Sequence, residues 1–249
     1  MPHQLTLFFI ALIFYTRLPI PSWVEYDSAY LPRSSRYLPL VGFFVGGIGA
    51  LVFWLSHWLW PVSIAVLLSI IATVLVTGAF HEDGLADSCD GFGGGWSTEQ
   101  ILTIMKDSRV GTFGMVGLSL MLGLKFVTLH EISPPLLPSI IIAGHTISRL
   151  MAVSFLYSHD YVRPQAQSKA QAHAQRMAGS ELLIAVLLGL FPLLFLSLSF
   201  ILLLIPLIVV RQLLGRYFVK RLGGFTGDCL GATQQLTEVV FYLGCVVVS

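Results

Sequence analysis

Charge is scarce in this chain. Only 11% of its residues are Asp, Glu, Lys or Arg, where soluble domains average about a quarter. That excludes an ordinary water-soluble globule. Neither sign dominates: the net charge is +1, so there is no basic surface for nucleic acid. Cysteine is rarer still. Cys89, Cys229 and Cys245 form no CxxC and no disulfide framework, which makes a reduced, inward-facing chemistry the default. Cys89 and Cys229 each adjoin an aspartate and read as small residues at close-packed places. The N-terminus lacks a basic leader, and its apolar run is followed by Arg17, Pro19 and Pro21. No cleavable signal peptide is expected.

What is abundant is apolar surface. Hydrophobic residues make up 55% of the chain and the mean hydropathy is +0.82. The expected fold is all-α: one polytopic integral membrane helical bundle over residues 1–249, with about 6–8 membrane segments. Residues 5–18 are apolar but short, as suited to the interface or a re-entrant turn as to spanning. Residues 38–60 are long enough to span; Gly42, Gly46, Gly47 and Gly49 read as a close-packing face within one chain or in a homo-oligomer. Trp54, Trp58 and Trp60 read as an aromatic belt at the far interface. Pro61 starts a return span at 62–80. Spans follow at 112–130, with Lys125 as its one charge, and at 139–157, with Arg149 inside. An intramembrane arginine is by default a functional candidate, here a substrate contact, and structural pairing weighs evenly against it. Residues 181–210, broken by Pro192 and Pro206, make one long tilted helix or a hairpin of two. A last apolar segment runs from about 236 to the end.

The basic residues orient these segments. Nearly all Lys and Arg fall in 17–36, 106–109, 163–176 and 211–221, and the turns near 57–61 and 131–138 have none. Basic loops face the cytoplasm. The two last basic stretches share that side only if 181–210 crosses twice, which favours the hairpin.

One polar stretch, residues 78–114, organises the rest. It holds six of the 13 acidic residues, and Glu82, Asp83, Asp87 and Asp90 crowd directly behind an apolar run. Carboxylates this close repel one another unless a cation or full hydration compensates. Continued as a helix, the segment stands Asp83, Asp87 and Asp90 at i, i+4 and i+7 on one face. Such a face suits a hard, oxygen-seeking ion such as Mg²⁺. Lys106, Asp107, Ser108 and Arg109, then Gly111 and Gly114, follow as phosphate contacts, which makes the reaction class phosphoryl or nucleotidyl transfer. The plain alternative is a solvated acidic loop. A second small constellation, Gly223 to Gly231, contains Asp228, read either as a site residue or as N-cap of the last helix.

Together these segments resemble the cobalamin (5′-phosphate) synthase family, the adenosylcobinamide-GDP ribazoletransferases. The resemblance lies in Thr16-Arg17-Leu18-Pro19, in Leu38-Pro39-Leu40-Val41-Gly42, in Phe80 through Gly91 (FHEDGLADSCDG), in Met105 through Gly114 (MKDSRVGTFG), and in Gly227 through Ala232 (GDCLGA). It implies a Mg²⁺-dependent, multi-pass enzyme of the inner (cytoplasmic) membrane, embedded in lipid with its active site facing the cytoplasm. It also implies a late step of vitamin B12 assembly, joining adenosylcobinamide-GDP to α-ribazole or α-ribazole 5′-phosphate with release of GMP. On that resemblance Asp83, Asp87, Asp90 and Glu82 hold the metal; the family varies at Glu82, which ranks below its neighbours. Asp107 holds the metal or accepts the hydroxyl proton, with His81 as the alternative base. Lys106 and Arg109 stabilise phosphate charge, and Lys106, Ser108, Arg109, Gly111, Arg149 and Asp228 bind substrate.

Two other functions share parts of this pattern. A CDP-alcohol phosphotransferase shares the opening Asp87-x-x-Asp90-Gly91, but here Phe92-Gly93-Gly94-Gly95 follows, with no Ala-Arg and no later aspartate pair. An ion or metal transporter would want acids at the midplane within inverted repeats. These acids lie at a span end, and no convincing repeat is visible.

Overall fold

Prolines open several helices of the bundle. The computed structural model describes residues 4–162 and 176–248. After a short apolar helix, α1 (Gln4–Tyr15), the long α2 (Leu38–His57) carries Pro39 in its first turn, where a missing N–H costs nothing. α3 (Val62–Thr77) begins directly after Pro61. α4 (Phe80–Gly94) carries the acids, α5 (Thr98–Ile104) starts with a Ser97–Gln100 capping box, and α6 (Thr112–Glu131) follows Gly111. The remaining long elements are α7 (Leu137–Val153), α8 (Gly179–Leu190), α9 (Leu204–Leu222) and α10 (Gly227–Val248). Among the described residues five helical stretches are long and apolar enough to cross a membrane. The bent pair α3–α4 would be a sixth, and Gln4–Tyr15 and Gly179–Phe195 are shorter apolar helices beside them. The expected all-α membrane bundle is what the chain forms.

α7 is the hub, buried along most of its length between α2 and α10. The glycines of α2 allow that contact. A Cβ at Gly42 would collide with the His145 carbonyl oxygen, and one at Gly46 would lie 2.8 Å from Ile142 Cα. Gly42, Gly46 and Gly49 therefore pack within the chain, while Gly47 meets open space. Trp54, Trp58 and Trp60 are exposed, as a lipid-interface belt requires.

One segment departs from expectation. The span expected at 62–80 ends at Thr77, and α4 leaves α3 at 88°. The turn is made by two successive left-handed residues, Gly78 (φ 64°) and Ala79 (φ 58°). The Ala79 N–H reaches back to the Val74 carbonyl at 2.9 Å, closing the helix end. Ala79 is the one non-glycine at positive φ among the described residues. At Gly78 a side chain would be strained by its backbone and would also run into Arg17 Nε. Gly78→Ala should cost about 1–2 kcal/mol from the left-handed backbone alone. In a chain this long that lowers the thermal midpoint by about 2–4 °C per kcal/mol, read by thermal unfolding in detergent; an unchanged midpoint would show that the turn relaxes freely.

Of the two forms expected at 181–210, the one long helix is not what the chain forms. α8 stops at Leu190, tight 3₁₀ turns run through Phe191–Phe195 and Leu198–Leu203, and α9 begins at Leu204. Pro192 stands at the head of the first turn, while Pro206 sits in the first turn of α9, where it is tolerated. Apart from Arg176, the basic stretch expected at 163–176 lies outside the described residues.

Candidate active site

α4 forms as the acidic spacing implies, and its three aspartates meet three different environments. Asp83 is exposed, Asp87 is half-buried and Asp90 is buried. Asp90 Oδ2 accepts the Gly111 N–H at 2.7 Å and its Oδ1 accepts the Gly114 N–H at 2.8 Å. Those are donors that the start of α6 leaves without intrahelical partners, and a carboxylate there also favours the helix dipole. Asp90 thus ties the loop at 105–111 to the acidic helix. The Gly111 N–H, read from sequence as a substrate contact, is given to Asp90.

On that loop Lys106, Ser108 and Arg109 are exposed. Arg109 grips Asp107 with both edges of its fork, Nε to Oδ1 at 3.0 Å and Nη2 to Oδ2 at 2.6 Å. Its backbone N–H adds a third bond to Asp107 Oδ1 at 3.1 Å. The side-chain hydrogen bonds from Arg109, and then its backbone N–H, pull the Asp107 carboxyl down from 3.8 to about 2. A depressed carboxylate contributes its pairing above its unfolded value and loses it as pH falls through the folded one. The Asp107–Arg109 pair therefore persists at neutral pH and breaks only in strong acid. Arg109→Gln should return Asp107 toward 3.8, measured by NMR titration of ¹³C-labelled aspartate. A carboxyl that still titrated near its wild-type position would mean Arg109 is not the cause.

α4 also meets the last helix at very short range. A Cβ at Gly84 would lie 3.1 Å from Asp228 Cα, and one at Gly231 would lie 3.0 Å from the His81 carbonyl oxygen. The two helices cross backbone to backbone, which sets Asp228 against the helix of Asp83 and Asp87. Asp228 is in the first turn of α10 but is not its cap: Thr226 Oγ1 accepts the Cys229 N–H at 3.3 Å.

His81 and Glu82 turn the other way, into the bundle. His81 is 3% exposed and stacks near Tyr15, with ring centroids 6.4 Å apart. Glu82 Oε1 accepts from Gln235 Nε2 at 2.9 Å. Arg149 is buried with them, its Nη1 donating to the His145 carbonyl at 2.9 Å. Buried polar atoms of His81 (Nδ1), Glu82 (Oε2), Ser88 (Oγ) and Arg149 (Nε) have no hydrogen-bond partner among the described residues. Sequence reasoning missed Gln235, Gln234, Glu238 and Tyr242, which complete this buried polar core. The available signal was a run of polar residues at the head of an otherwise apolar last helix.

Among the described residues no three His, Cys, Asp or Glu side chains converge to hold a metal by protein ligands alone. Mg²⁺, however, is ordinarily held by one or two carboxylates together with substrate phosphates and water. Asp83 and Asp87, one turn apart and offering only oxygen, fit an ion shared with a bound diphosphate.

Comparison with known proteins gives the family. A family model described as "Cobalamin-5-phosphate synthase" matches residues 7–246. A protein of Shewanella frigidimarina named adenosylcobinamide-GDP ribazoletransferase is 51% identical over 245 residues, covering 97% of this chain and 94% of its own. One of the same name from Shewanella amazonensis is 48% identical over 246 residues, covering 97% and 95%. No solved structure matches. A match over nearly the whole length makes this chain a member of the cobalamin-5-phosphate synthase family.

Proposed function

We propose that this protein joins adenosylcobinamide-GDP to α-ribazole or α-ribazole 5′-phosphate and releases GMP. The observation that carries the reading is the Asp90 clamp on Gly111 and Gly114, which ties the exposed Lys106–Arg109 loop to the helix that bears Asp83 and Asp87. Chemically, the ribazole hydroxyl oxygen forms a bond to the phosphorus bearing the cobinamide aminopropanol. The bond from that phosphorus to the bridging oxygen breaks, and the bridging oxygen leaves with GMP. Asp83 and Asp87 would hold Mg²⁺, which when bound neutralises charge on the diphosphate. Lys106 and Arg109 bind and orient the phosphates, Arg109 through a planar fork suited to two oxygens at once.

Asp107 gains its role from the same contact. In the paired state it is too weak a base to take a hydroxyl proton. A phosphate that takes the Arg109 fork removes the hydrogen bonds that depress it, and the carboxyl becomes a better acceptor beside the reacting phosphate. His81 is buried against Tyr15 and is given no proton-transfer role in this reading. The basic loops support a site facing the cytoplasm from the inner membrane.

The test is turnover by the purified protein in lipid, with both substrates, in Mg²⁺ and in chelator. Product and GMP should form in Mg²⁺ and stop in chelator. A folded protein that makes neither would overturn the reaction, and undiminished turnover in chelator would overturn the metal.

A further inference from the structure

Four buried side chains from three helices form one continuous chain beneath the acidic face. Lys125 of α6 lies 3.1 Å from Glu238 Oε1 of α10 and donates to Gln235 Oε1 at 2.9 Å. Gln235 in turn donates to Glu82 Oε1 of α4 at 2.9 Å. Their exposures are 3% for Lys125, 0% for Glu238, 1% for Gln235 and 7% for Glu82. Glu238 is braced further by the Tyr242 hydroxyl at 3.1 Å and by Gln234.

An ion pair this deep is weak evidence for stability, because well-packed apolar groups of the same volume would serve as well or better. What it does supply is direction: its hydrogen bonds are made in one register only. Direction matters most at the start of α4. That helix follows the left-handed Ala79 and has no side-chain N-cap. Glu82 sits in its first turn, next to Asp83 and about 100° away around the axis. Fixing the Glu82 carboxylate therefore fixes the rotation of the turn that aims Asp83 and, one turn on, Asp87.

We propose that Gln235, held by the Lys125–Glu238 pair, is a positioning residue that aims Asp83 and Asp87 through Glu82. The inference rests on the reading of Asp83 and Asp87 as the ion-holding pair. Gln235→Met keeps the volume, leaves the ion pair and removes the link to Glu82. Glu82→Gln keeps an oxygen that can accept from Gln235, and Glu82→Met does not.

The experiment measures kcat, KM for adenosylcobinamide-GDP and the Mg²⁺ concentration giving half-maximal rate, on variants matched to wild type by gel filtration and thermal midpoint. Gln235→Met and Glu82→Met should lower kcat about tenfold or more, the effect typical of groups that orient metal ligands, and raise the Mg²⁺ midpoint. KM for the corrinoid should stay within about twofold, and Glu82→Gln should keep kcat within about threefold of wild type. A purely structural role would lower yield and thermal midpoint while leaving kcat and the Mg²⁺ midpoint of the folded fraction alone. Folded Gln235→Met with both constants unchanged overturns the proposal. So does Glu82→Gln as damaged as Glu82→Met, since the charge would then act directly. If Gln235→Met does not fold, the Glu82 pair decides. A wild type indifferent to chelator removes the ion-binding reading, and the kcat ratios still judge the positioning.

Discussion

Asp87→Asn should purify as a folded membrane protein that releases GMP at least about a hundredfold more slowly than wild type. The change keeps the size of the side chain and removes its charge from a half-buried place on α4. That charge is what a cation on the diphosphate needs, and an amide oxygen is a far poorer ligand for a hard ion. The thermal midpoint should move little, because α4 is held by its glycine contact with α10 and by the Asp90 bonds. Asp90→Asn is the instructive contrast. It replaces one of two acceptors by an amide NH₂ facing a backbone N–H, and should lose about 1–3 kcal/mol of stability along with activity. Rates by chromatographic GMP release and midpoints by thermal scan, taken on both variants, separate the two roles. Asp87→Asn turning over like wild type would remove the aspartate face from the chemistry.

The second large effect is in stability. Lys125→Met should destabilise the fold by about 3–5 kcal/mol, the usual consequence of leaving one member of a buried ion pair uncompensated. Glu238 is fully buried, and Lys125 at 3.1 Å is the nearest cation to it. His145 Nδ1 is farther, at 3.6 Å from the other carboxylate oxygen. Pairing the change with Glu238→Gln removes the stranded charge, so the double variant should recover more than half of the loss. Unfolding in mixed micelles with a denaturing detergent measures the difference. Additive single effects, with no recovery in the double variant, would show that the two side chains do not depend on each other.

Hydropathy and charge spacing made the bundle, its glycine-packed helix and the helical face of Asp83, Asp87 and Asp90 legible before any coordinates. The turn at 78–79 was not, because half of it is an alanine held left-handed by the fold around it, and alanine carries no such signal. The work of Asp90 was hidden for a different reason. Its partners are backbone N–H groups 21 and 24 positions away, and backbone partners leave no trace in residue identity beyond the glycines that make room. The buried chain was hidden by distance: Glu82 and Gln235 are 153 positions apart. Lys125 was visible as a lone charge in a span. Its counterpart Glu238 fell inside a segment read as starting near 236, with Gln234 and Gln235 left just outside.

The crossing of Gly84 and Gly231 has a consequence for tolerance. Between these two helices the spacer is a pair of hydrogen atoms, and there is no smaller residue to substitute. Variation at either position can only wedge the crossing apart, widening the gap between the Asp228 end of one helix and the Asp83–Asp87 face of the other. The width of that gap is thus bounded from below by chemistry itself. A lineage that needed a roomier cleft could reach one through a single methyl group, and one that needed a tighter cleft would have to move a helix.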